Sequence, residues 1–257
     1  MKHLLIISAV FFLTSCGSTY FYTSLSSPDY DMAQNEDGDF IAENDSVLVA
    51  YWFNGKDAPL FINVYNKTET PLYVDWSRSS LIIGDEATTY KGMVVDMADD
   101  YGYGEELSFI PPGARTTFNA MPFTWLSYEN IGKKQYRSGK MPDKEGVMHK
   151  VDIVNFDEMN TPMRFSSYIT MYKNPDKPFT AEHNFYISKI IKSAGLTPKN
   201  ATDNFFKRGD VFYLEKENKG KYVAGDILLG TAIAGLVVVG IVWGDNDSSG
   251  GEYYEEY

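Results

Sequence analysis

The chain has 257 residues, of which 44% are hydrophobic, 15% aromatic and 23% charged, with 23 Lys and Arg against 35 Asp and Glu. That length and apolar content suffice for a buried core, and the acidic balance removes the cationic surplus that phosphate binding requires, so no nucleic-acid partner is expected. A single cysteine, Cys16, excludes an internal disulfide framework and a multi-thiolate metal site.

Taken in chain order, Lys2 and His3 precede a ten-residue apolar run, Leu4 to Leu13. It is too short to span a bilayer and has the form of a signal-peptide core. The next residues, Leu13-Thr14-Ser15-Cys16, resemble the lipobox of bacterial lipoproteins. That resemblance implies a signal peptide over 1–15 cut after Ser15, and a Cys16 that carries diacylglycerol and an amide-linked acyl chain such as palmitate. Membrane lipid is then the first partner, and two or more acyl chains hold a protein on a bilayer stably. Loss of Lys2 with the signal would leave 22 basic against 35 acidic residues. Gly17 differs from the aspartate that resembles an inner-membrane retention signal, which favours the outer membrane facing the periplasm.

Residues 16–45 are rich in Ser, Asp, Asn and Gly and read as a lipid-anchored tether. From Ser46 short runs dominated by Val, Ile, Tyr, Phe, Trp and Thr alternate with turn signals such as Asn54-Gly55, Gly84-Asp85 and Pro111-Pro112-Gly113. In "PLYVDW", Leu72, Val74 and Trp76 share one face and Tyr73 and Asp75 the other; "SVLVAYWF" is apolar on both faces and so more central. The expected fold is mainly β: an immunoglobulin-like antiparallel β-sandwich over 46–223, a likeness of pattern without a specific motif. The stretch 127–163 is charged and lacks apolar rhythm, and reads as an excursion between strands. Strand signals return at "MRFSSYITMY" and "VFYLEKE", while "EHNFYISKIIKSAG" fits a strand or a short helix.

Ile227 to Trp243 is a run of seventeen uncharged residues. As a helix it would measure about 25 Å against a hydrocarbon core of roughly 30 Å, enough for a short transmembrane helix or a shallow insertion. Small residues at helical spacing, Gly230/Ala234 and Gly240/Gly244, would admit a helix partner or self-association. The tail 244–257 is acidic and carries no lysine or arginine. A span would set it opposite Lys207, Arg208, Lys216, Lys219 and Lys221, against the positive-inside preference. Lipid and span then imply different membranes.

Catalytic motifs are sparse. Beyond the signal there are two histidines, His149 and His183, in no ligand spacing, and no Walker loop, nucleophile elbow or dinucleotide fingerprint. The stretch Asp96 to Glu106 gathers carboxylates without the EF-hand pattern. No catalytic, metal or cofactor residue is assigned, and no enzyme activity is expected. Two functional classes follow: a structural, assembly or protein-interaction lipoprotein of the cell envelope, or a ligand-binding lipoprotein in which Trp52, Trp76 and Trp125 stack on glycan rings.

Overall fold

Alternating apolar residues become strands wherever one face can be buried, and in the computed structural model they dominate the chain. The structure describes residues 17–93, 106–120, 128, 131–174 and 177–217. The strands are β1 (Ser18–Ser26), β2 (Met32–Gln34), β3 (Phe40–Glu43), β4 (Val47–Trp52), β5 (Gly55–Lys56), β6 (Leu60–Asn66), β7 (Leu72–Ile83), β8 (Glu86–Thr89), β9 (Leu107–Ile110), β10 (Arg115–Ala120), β11 (Arg137–Pro142), β12 (Met148–Asn155), β13 (Arg164–Asn174), β14 (Lys177–Ser193) and β15 (Val211–Glu217). One four-residue helix, α1 (Asp203–Phe206), lies among the described residues. The fold is mainly β, as the sequence predicts.

Two sheets form. The smaller runs β10-β6-β4-β3-β2; β4 is paired on both edges and buries Val47, Val49 and Tyr51, while Leu48, Ala50 and Trp52 on its other face are half-buried. The larger has ten strands along the path β5-β15-β1-β14-β13-β7-β8, with β9 also on β7 and the β11–β12 hairpin attached to β14. The small sheet is antiparallel throughout, with β10 joining β6 only after the chain has formed β7, β8 and β9 of the large sheet, and this order differs from the seven- or nine-strand order of immunoglobulin domains.

The apolar faces of both sheets share one core. Val47, Val49 and Tyr51 of β4 and Ile62 and Val64 of β6 face Leu72, Val74 and Trp76 of β7 and Phe185 and Ile187 of β14. Ring contacts join the sheets: Phe40 and Phe185 centroids lie 5.2 Å apart, and Trp76 stacks on Phe118 at 4.3 Å. The Trp76 indole N–H donates to Ser108 Oγ at 2.8 Å, so the largest core side chain brings no unpaired donor with it. A second, smaller cluster on the outer face of the large sheet gathers Tyr22, Val151, Ile191, Leu196 and Ala201.

Three stretches differ from expectation. Residues 17–45, expected as a tether, supply β1, β2 and β3, and β1 sits between β14 and β15 with Tyr22 and Leu25 buried. Its Tyr, Phe and Thr residues meet partners on both edges, which composition read along a window does not register. Residues 137–155, within the expected excursion, form the β11–β12 hairpin. The ambiguous "EHNFYISKIIKSAG" lies on the 17-residue strand β14, with Phe185, Ile187 and Ile190 buried. Gly17–Glu217 makes one compact unit.

The signal segment 1–15 with Ser15, Cys16, the apolar run 227–243 and the tail 244–257 lie outside the described residues. Among the described residues no helix is long and apolar enough to cross a membrane.

Candidate functional site

The residues singled out from sequence do not assemble into one site. Trp76 is 2% exposed in the core, Trp52 is half-buried and stacked on Phe61 at 5.3 Å, and Trp125 lies outside the described residues. Trp76 is therefore withdrawn from any exposed aromatic platform. Of the acidic stretch only Glu106 is described, and it pairs with Lys91.

The two histidines are far apart in role. His183 is buried on β14, where its Nδ1 lies 2.7 Å from the Tyr51 hydroxyl, and burial lowers its pKa despite Asp29 and Asp31 nearby. Burial also holds the Tyr51 hydroxyl protonated, well above its ordinary range, so the phenol donates to a neutral imidazole. The pair bridges the two sheets through the core. His149 instead sits on β12, its Nε2 2.7 Å from Asp143 Oδ2. Among the described residues no hydroxyl completes that pair into a nucleophilic triad, and no group of three or more metal-ligating side chains occurs.

A different set of residues converges where the chain enters and leaves the large sheet. Ser18 of β1 pairs with Glu217 of β15, so the described body begins and ends on adjacent strands. Glu215 anchors this corner: it accepts from the Tyr20 hydroxyl at 3.1 Å and from Lys56 Nζ at 3.3 Å. Hydrogen bonds from Ser18, Lys56 and Tyr20, in that order, lower its pKa.

Strand register brings the β11–β12 hairpin to the same end. Phe21 pairs with both Leu214 and Lys192, and Lys192 pairs with Asp152 of β12. Strands β1 and β12 are both antiparallel to β14 and so run the same way. Ser18 lies three residues before Phe21, and Met148 lies four before Asp152. At about 3.3 Å per residue, the entrance, the exit and the hairpin tip reach within one residue of the same level, roughly 10–13 Å beyond Phe21.

The tip is closed by specific chemistry. Asp143 and Val147 are joined by a backbone bond of 2.9 Å, and Gly146 takes φ +83°, a left-handed conformation that glycine adopts without strain. The Asp143 carboxylate accepts the backbone N–H groups of Glu145 and Val147, each at 2.9 Å, besides its contact with His149. The His149 bond, followed by those N–H groups, overcomes desolvation and lowers the Asp143 pKa. Lys144 ties the turn to the neighbouring loop, its N–H to Asn200 O at 2.9 Å and its Nζ to Lys199 O at 2.6 Å. Behind the tip a cleft of about 680 Å³ opens between Phe21, Tyr128, Tyr136, Leu214, Lys192 and Asp152, with Lys192 Nζ 5.8 Å from the Phe21 ring centre.

The hairpin lacks apolar rhythm in the sequence because an edge hairpin buries only one thin face, here Met141, Val151 and Ile153, around the turn "DKEG". Scans against protein-family models and searches of curated proteins and solved structures find no match to this chain.

Proposed function

We propose that the chain is a cell-envelope lipoprotein, held by acylated Cys16 on the outer membrane facing the periplasm, with a structural, assembly or protein-interaction role. The observation that carries this reading is the pairing of Ser18 with Glu217. Cys16 lies two residues before Ser18, and Ile227 ten residues after Glu217, a reach of at most about 36 Å when extended. Lipid and apolar segment therefore leave the body from adjacent strands and can enter one bilayer from one side. The conflict between two membranes disappears if 227–243 inserts from the same face as the lipid, and the acidic tail then needs no transfer across a membrane. The two-sheet body serves as a rigid scaffold of the kind immunoglobulin-like sandwiches supply, with its own strand order.

Membrane fractionation tests the reading. Cys16→Ala is expected to accumulate as an unprocessed, signal-bearing form that takes up no labelled palmitate. A Cys16→Ala protein that is processed normally and stays membrane-bound overturns it. A chain truncated after Tyr222 is expected to remain on the membrane through its lipid; loss of a co-purifying partner in that form would assign 227–243 to assembly.

A further inference from the structure

The β11–β12 hairpin has two unlike faces. Met141, His149 and Val151 point toward the outer cluster, while Lys140, Pro142, Met148 and Lys150 lie on the exposed face. On that face Lys140 stands directly opposite Lys150, and Pro142 opposite Met148. Like charges directly opposed across a strand pair are unfavourable, and Asp152, the carboxylate next along this face, pairs with Ser138. At the tip Val147 is 52% and Met148 54% exposed. Large apolar side chains held in water at the end of a pinned turn, ringed by lysines, have the composition of an interfacial membrane contact.

Charge distribution sets this end apart. Between residues 138 and 152 and between 192 and 200 stand Lys140, Lys144, Lys150, Lys192 and Lys199 against Asp143, Glu145 and Asp152. Asp143 is turned inward to His149 and two N–H groups, and Asp152 accepts from Ser138 Oγ at 2.9 Å. At the opposite end of β1, residues 28–39 carry Asp29, Asp31, Glu36, Asp37 and Asp39 and no lysine or arginine. Exposed Tyr30 and Met159 also lie toward that end, where Arg164 and Arg208 stand against the five carboxylates and the balance stays acidic.

We propose that the exposed face of the β11–β12 hairpin, Val147 and Met148 at the tip with Lys140, Lys144 and Lys150 around them, docks on an anionic bilayer surface and seats the domain with its Ser18–Glu217 end toward the lipid. The occupant is a bilayer rather than a protein groove because the tip is level with both strands that lead to the apolar flanks, and because its charge is opposite to that of the chain as a whole. The proposal rests on the lipoprotein reading for its orientation. Its chemistry is that of each lysine near an anionic surface contributing about a fivefold preference.

The test uses the full chain in proteoliposomes. Met148→Cys is labelled with a polarity-sensitive fluorophore and compared with Glu36→Cys at the acidic end, in phosphatidylcholine vesicles with and without phosphatidylglycerol. The wild-type chain, its one cysteine acylated, is expected to take up no label; labelling of the wild type sinks the lipoprotein reading by itself. The expected result is a blue-shifted Met148 probe only with phosphatidylglycerol, reversed by salt, and an unshifted Glu36 probe. Lys140→Ala with Lys150→Ala, both at exposed positions, is expected to lower the docked-to-free ratio of the tip about 25-fold. A Met148 probe that stays in water on anionic vesicles while the chain remains anchored overturns the docking proposal alone. So does an equal shift in both lipids, or protection of the tip that appears only with a purified protein partner.

Discussion

The two ends of β1 are built from similar parts and carry opposite charge. At the Ser26 end Asp29 reaches across to β14, its carboxylate accepting the backbone N–H of Asn184 at 2.6 Å and its side-chain Nδ2 at 3.0 Å. At the Ser18 end Asp143 does the same service for the hairpin turn, accepting two backbone N–H groups and facing His149. Each end thus fixes a loop with one carboxylate. What differs is the charge balance of the neighbouring segments: five carboxylates in residues 28–39 beside Arg164, and Lys140, Lys144 and Lys150 against Asp143, Glu145 and Asp152 in the hairpin that Asp143 closes. A net acidic protein with lysines around the β11–β12 hairpin has an electrostatic direction along β1.

If the ends can differ because a common core supports both, the largest effects belong to the core. Trp76→Ala is expected to cost about 3–5 kcal/mol in urea unfolding, since it removes a buried indole stacked on Phe118. An unchanged urea midpoint would instead return Trp76 to the surface. Next comes the polar bridge between the sheets. Tyr51→Phe strips the partner from a buried imidazole nitrogen and is expected to cost about 1–3 kcal/mol.

The same bridge has a pH signature. Because burial depresses the folded-state pKa of His183, the unfolded chain binds its proton first. The stabilisation is complete above the ordinary histidine range near pH 6.5 and is lost as pH falls through the depressed value. The urea midpoint should therefore drop on going from pH 7 to pH 5, and His183→Gln should flatten that slope.

Local effects at the two ends are smaller and should stay local. Asp29→Ala is expected to cost about 1 kcal/mol and to expose the Asn184 amide to exchange. Asp143→Ala should do likewise for the Val147 amide. In the unmodified chain that protection should persist at neutral pH and fade only under acid: the folded pKa of Asp143 lies below its ordinary 3.8, so its contribution is present above that value and is lost as pH falls through the lowered one. Exchange that spreads from either substitution to the whole domain would show that the ends are not separable. The smallest expected effect is none: Glu36→Lys with Asp37→Lys at the acidic end should leave the response of the Met148 probe to anionic vesicles unchanged.

Parts of this organisation are plain in the sequence. The strands β6, β7 and β13 follow from alternation over six or more residues, because each buries one face and the hydrophobic pattern then repeats every second residue, and β4 follows from its continuous apolar run. Strand β1 escaped because "STYFYTSLS" sits among serines and aspartates; its Tyr, Phe and Thr content was the available signal. The β11–β12 hairpin escaped because its outward face is lysine, proline and methionine, which carry no strand rhythm.

The sequence by itself determined a mainly β body, an acidic chain and two apolar flanks, since these depend on local composition and on a period of two residues. Only the tertiary structure decided that Ser18 and Glu217 are paired on adjacent strands, that the lysines of the β11–β12 hairpin lie level with them, and that Trp76 is core. The physical reason is range. Ser18 and Glu217 stand almost two hundred residues apart and become neighbours only through the ladder between β1 and β15. Hydrogen-bond register over that distance is a property of the packed sheet, and charge segregation along the strands follows from register.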